Sequence, residues 1–148
     1  MQAEEAHGLS VESADVLQSA GEWQKRLDHP FFHTGHLLCG LMQVQSKAAV
    51  FLRQSSEVTM NKVAEEVFAC FAAKIIDQTQ ATRQVSEAVD EARTLADDKV
   101  EPEHILLVLL QSEGSVAYQV LSNLLGAKLT RVCTSARDLL ASQEPVQV

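Results

Sequence analysis

Aromatic residues make up only 5% of this 148-residue chain, and it holds three Pro, six Gly and three Cys. So little Gly and Pro excludes collagen-like and low-complexity chains, and 46% hydrophobic against 22% charged residues excludes a disordered one. Cys39, Cys70 and Cys133 are odd in number and sit in apolar stretches, which argues against a secreted disulfide scaffold and for a reducing, cytoplasm-like compartment. Basic residues are scarce: 12 Lys and Arg face 20 Asp and Glu, for a net charge of −8. Neither nucleic acid nor an anionic membrane is therefore expected as a partner. The longest apolar run, Ile105 to Leu110, is far too short to span a bilayer. The Met-Gln-Ala-Glu-Glu start lacks the basic-then-apolar order of a secretory signal. A domain of this length buries about 70% of its unfolded surface, enough for a core without disulfides or a structural metal.

Period-two alternation is also missing, and what replaces it is helical. Val85, Ala88, Val89, Ala92, Leu95 and Ala96 form one i, i+3, i+4 stripe. Met60, Val63, Ala64, Val67 and Phe71 repeat that spacing, as do Leu129, Val132, Cys133, Ala136, Leu139 and Leu140. Ile105 to Leu110 could be a buried strand by itself. Its flanks make it a helix: Pro102 suits a first turn, and Glu101 and Glu103 complement the positive end of the helix dipole. A helix apolar all round must be central, and Gly114 and Gly126 stand where helices stop.

The apolar segments also repeat. His36-Leu37-Leu38 aligns with His104-Ile105-Leu106 at a shift of 68, which also pairs Leu17 with Val85 and Leu27 with Leu95. Downstream the shift becomes 69, pairing Ala48 with Ala117, Met60 with Leu129 and Phe71 with Leu140, so one residue is inserted between the second and third helices of the unit. The expected fold is all-α: eight helices as two tandem four-helix repeats with pseudo-twofold symmetry. The spacing predicts helices over 10–27, 34–44, 47–54, 59–75, 82–97, 102–111, 115–124 and 128–142. Residues 1–9 form an extension, 10–76 the first repeat, 77–81 a linker, 82–142 the second repeat and 143–148 a tail, within one globular domain.

Several patterns invite a chemical reading. Gly35 to Gly40 has phosphate-loop spacing, but Leu41 and Met42 stand where Lys and Ser/Thr are needed, so no nucleotide is expected. His29, His33, His36 and Cys39 suggest zinc, yet no second ligand pair follows. A capping or core histidine, repeated as His104, is the expectation, and neither metal nor cofactor is. A small Cys/His enzyme or metal protein centred on His33, His36 and Cys39 is the rival, its catalytic form opposed by the apolar setting of Cys39, which raises a thiol's pKa. Glu87, Asp90, Glu91, Asp97, Asp98, Glu101 and Glu103 cluster against only Arg93 and Lys99: a solvated face or a platform for a basic partner. His29-Pro30-Phe31-Phe32 places two adjacent phenylalanines in a loop, and Phe31 is either packed or a candidate contact for extended substrate.

Thr34-Gly35-His36-Leu37-Leu38-Cys39-Gly40-Leu41 and Pro102-Glu103-His104-Ile105-Leu106-Leu107-Val108-Leu109 resemble the Thr-Glu-His-Leu-Leu-x-x-Leu signature of the double Clp-N domain. That domain heads Clp-type AAA+ unfoldases such as ClpA, ClpB and ClpC, and the likeness covers about residues 10 to 142. It implies a non-enzymatic, monomeric module that recruits substrates or adaptors to a Clp ATPase or protease. Two forms are implied: the head of a longer ATPase, which the linker-like tail favours, or a stand-alone accessory like the plastid ClpT proteins. The corresponding compartment is the cytoplasm or the plastid stroma. In ClpC-like relatives the signature Glu and an early Thr bind phosphoarginine. The matching residues are Glu103, with Glu101 beside it, Ser10 in the first unit and Gln78 or Thr79 in the second; the first-unit Glu is replaced by Gly35, and restoring it is expected to add affinity if that unit has merely lost its site.

Overall fold

Short polar residues begin most of the helices. The computed structural model describes residues 8–56, 58–73, 77–96 and 99–143. Ser10 accepts the Ser13 amide at 3.0 Å and opens α1 (Val11–Arg26), whose last turn carries Lys25 and Arg26 at the negative end of the dipole. α2 (Thr34–Gln43) follows a loop, then α3 (Lys47–Ser56) behind Ser46 and α4 (Met60–Ala73) behind Thr59. α5 (Gln78–Leu95), α6 (Pro102–Gln111), α7 (Val116–Leu125) and α8 (Leu129–Gln143) complete the order, with a 3₁₀ turn at Gly126–Lys128. Gly126 closes α7 at φ 54°. No single helix among the described residues is long and apolar enough to cross a membrane.

The duplication is visible in the helix ends. Thr34 and Pro102 open α2 and α6, 68 residues apart, whereas Lys47 and Val116 open α3 and α7, 69 apart. The extra residue lies in the Ser112–Ser115 turn, where Gly114 takes a φ of 92°. The packing obeys the same symmetry: α1 on α2 and α5 on α6, α2 on α4 and α6 on α8, α2 on α7 and α6 on α3. The two units thus share one core built around α2 and α6. All residues from Thr34 to Met42 are buried, as are eight of the ten in α6. Leu38→Ala and Leu106→Ala, at two fully buried sites, are each expected to cost about 3 kcal/mol in chemical denaturation.

Two expectations are corrected. The 77–81 segment is no linker, because Asp77 accepts the Gln80 amide at 2.8 Å and Gln80 returns a bond to the Asp77 amide at 3.2 Å; this capping box starts α5 at Gln78. With the helix begun a turn earlier, the buried stripe of α5 is Ala81, Ala88 and Ala92, and Leu95 is 42% exposed. The 1–9 extension is described only from Gly8, and all of the 143–148 tail beyond Gln143 lies outside the described residues.

Candidate protein-binding site

The start of α6 is strapped to the start of α1. Leu9 and Val100 form a parallel bridge, the Ser10 amide donates to the Val100 carbonyl at 3.0 Å, and the Ser13 hydroxyl donates to the same oxygen at 2.6 Å. Val100 leads into Glu101, Pro102 and Glu103, so the fold brings Ser10, Glu101 and Glu103 into one neighbourhood. Ser10 is buried and Glu101 half-buried. Ser13 had no signal in the sequence beyond its place one turn after a helix cap.

Glu103 is the unusual member. Its residue is 5% exposed, yet its carboxylate has no hydrogen bond or ion pair among the described residues. Gln84 Oε1 is the only side-chain polar atom among them that is both sealed from solvent and unpartnered, so the Glu103 oxygens keep a thread of access. A carboxylate that has lost most of its water and gained no donor is poised for a cation.

The repeated histidine serves the backbone in both units. His104 Nδ1 accepts the Glu101 amide at 2.9 Å, and His36 Nδ1 accepts the His33 amide at 3.1 Å. The first unit then diverges. His33 turns its own Nδ1 onto the Gly35 amide at 3.1 Å, and its ring fills the space beside Gly35. A Cβ at residue 35 would lie 2.9 Å from His33 Cε1 and 3.0 Å from Val116 Cγ1. A side chain there would have to displace the His33 ring or Val116.

The rival grouping of His33, His36 and Cys39 is not the one the fold makes: His29 joins the two histidines and Cys39 stays out. His29 Nδ1 lies 2.9 Å from His36 Nε2 and 3.0 Å from His33 Nε2, with Phe71 stacked on His29 and His33 at centroid distances of 4.2 and 4.7 Å. The spacing would suit a metal, but the polarity opposes one. A ligating imidazole donates its second N–H outward, whereas the second nitrogens of His33 and His36 accept backbone N–H groups. Cys39 is fully buried, and burial pushes its thiol up to about 12.

Phe31 and Thr79 lie apart from Glu103. Phe31 is half-buried with its ring edge-on to Phe71 at 5.5 Å, and it lines a groove of about 420 Å³ with Pro30, Phe32, Gln78, Thr82 and Val85. Thr79, exposed on α5, borders the adjoining hollow. The acidic run divides: Glu87, Asp90 and Glu91 face solvent with Arg83 and Arg93 beside them, while Glu103 is buried. Asp97 and Asp98 lie outside the described residues.

Fold and site together define a tandem helical-repeat module whose polar features gather at helix starts. The Clp repeat (R) N-terminal domain family matches residues 77–148. The ATP-dependent Clp protease ATP-binding subunit ClpC of Staphylococcus saprophyticus is 35% identical over 127 residues, covering 78% of this chain and 15% of that protein. ClpC of Staphylococcus aureus strain USA300 matches to the same extent. The N-terminal domain of the caseinolytic protease associated chaperone ClpD from Arabidopsis thaliana has a crystal structure similar to this fold. Its TM-score is 0.67 at 25% identity, over 90% of this chain and 97% of that domain. The chain belongs to the Clp N-domain family. It spans about one seventh of the length of its ClpC relatives.

Proposed function

We propose that this domain recruits protein substrates or adaptors to a Clp-type ATPase, on the same chain or on a partner, without chemistry of its own. Glu103 carries the reading: a buried, unpaired carboxylate at a helix start, strapped in place by α1, suits a guanidinium or ammonium group. A phosphate attached to that group would be taken by the Glu103 amide in the first turn of α6 and by the Ser10 hydroxyl. The ClpC and ClpD relatives support a role beside a Clp ATPase, in the cytoplasm or the plastid stroma. Capture is asymmetric, since His33 occupies the first unit's counterpart.

An Arg-rich peptide titrated at low salt tests this. Glu103→Gln should weaken binding about tenfold or more, as expected for one charge-assisted hydrogen bond, with the melting temperature unchanged. Added salt should weaken the native protein more than the variant. Equal affinities at low salt would remove Glu103 from the site and leave the Phe31 groove as the binding surface.

A further inference from the structure

The geometry points to a proton-operated latch: His29, His33 and His36 hold the α1–α2 loop against α4, and the latch opens when His29 gains a second proton. The argument starts from the two caps. His36 Nδ1 and His33 Nδ1 each accept a backbone N–H, so the single proton of each neutral ring sits on Nε2. Both Nε2–H groups point at His29 Nδ1, at 2.9 and 3.0 Å. One lone pair therefore holds two donors. A proton on that nitrogen turns the shared acceptor into a third donor and sets a positive charge before two N–H dipoles. Protonating His33 or His36 instead would cost the Gly35 or His33 backbone bond, so every added proton breaks a contact.

The surroundings decide where the proton lands. Burial lowers the pKa of His29, and Asp28, next to it in the chain, offsets part of that lowering, as does the Phe71 face stacked on the ring. α4 otherwise presents Phe68, α1 contributes Gln24 to the His29 carbonyl, and α7 offers Val116 and the Ala117 amide, the last donating to Thr34. No carboxylate pairs with any of the three rings among the described residues. Burial and the neighbouring rings push His33 down to about 2 and His36 to about 3, so both stay neutral donors while His29 titrates. Opening would lift Phe31 off Phe71, beside a Phe68 already 56% exposed, and so bare an aromatic surface in the first unit alone. The second unit has Glu101 and His104 in place of His33 and His36, and it carries no such triad among the described residues.

Two measurements test the latch. Imidazole ¹⁵N spectra near neutral pH should show the Nε2–H tautomer at His33 and His36. Hydrogen exchange, corrected for intrinsic rates, should show residues 27–36 losing protection about tenfold relative to 101–111 between about pH 7.5 and pH 4.5, a range that reaches below the ordinary histidine value because burial lowers His29. His29→Gln keeps an acceptor but cannot titrate, so its residues 27–36 should lose no protection relative to 101–111 over the same range. The same acid response in the variant and the native protein would overturn the latch. So would Nδ1–H tautomers at His33 and His36 with stoichiometric cobalt(II) binding, which would make the triad a metal site. Should the variant not fold, the tautomers and the exchange of the native protein decide.

Discussion

Gly40→Val is expected to cost about 4 kcal/mol or more, a large share of the stability of an ordinary domain. Valine is what the second unit carries at the equivalent position, Val108, so the substitution tests where the repeats differ. α1 and α2 meet backbone to backbone at Gly40. A Cβ there would overlap the Val16 carbonyl oxygen and lie 3.1 Å from the Ala20 nitrogen. Main-chain atoms cannot rotate aside as a side chain can, so α1 must move as a body. That movement opens the packing of α1 on α2, where Val16, Ala20, Leu37 and Leu41 are all fully buried. Gly40→Ala should cost about 3 kcal/mol, and Val108→Ala, which only removes methyl groups, about 1–2 kcal/mol. Urea midpoints of the three variants check the order. A Gly40→Ala protein as stable as the native one would mean that α1 sits farther from α2.

Acidification from about pH 7 to pH 5 is expected to remove up to about 4 kcal/mol of stability through His33 and His36. Burial holds both rings far below the ordinary histidine range, and the positive form of neighbouring histidines adds to it. An unfolded histidine takes up its proton near pH 6.5, so below that value the unfolded chain binds protons that the folded chain refuses. The contribution of these two residues is thus complete above about pH 6.5. It is lost as pH falls toward about 3, each residue costing about 1.4 kcal/mol per pH unit. His33→Asn, which can still cap Gly35, should halve the slope of stability against pH between 7 and 5. A flat profile in the native protein over that range would contradict the burial of both rings.

Much of the architecture was legible because its causes are local. A stripe such as Val63, Val67 and Phe71, or a first turn such as Pro102 with Glu101 and Glu103, involves residues within a turn or two of each other. The 77–81 segment misled for a related reason: its polar residues read as a linker, and the Asp77–Gln80 box that makes them a helix start is a reciprocal pair, not a hydrophobic period. Gly35 and Gly40 looked like parts of a phosphate loop. In the fold, one makes room for the His33 ring and the other for the passage of α1.

By itself the sequence determined the helical class, the duplication and the residue inserted between the second and third helices. Each is a relation of spacing along the chain, and spacing survives without coordinates. Only the tertiary structure decided that Glu103 is buried without a partner among the described residues, that His29 meets His33 and His36 while Cys39 does not, and that Ser10 and Ser13 tie the first unit to Val100. Those facts depend on which surfaces meet when α1, α4 and α7 close around α2 and α6. Burial, ring polarity and backbone clearance are properties of that meeting, not of any one helix.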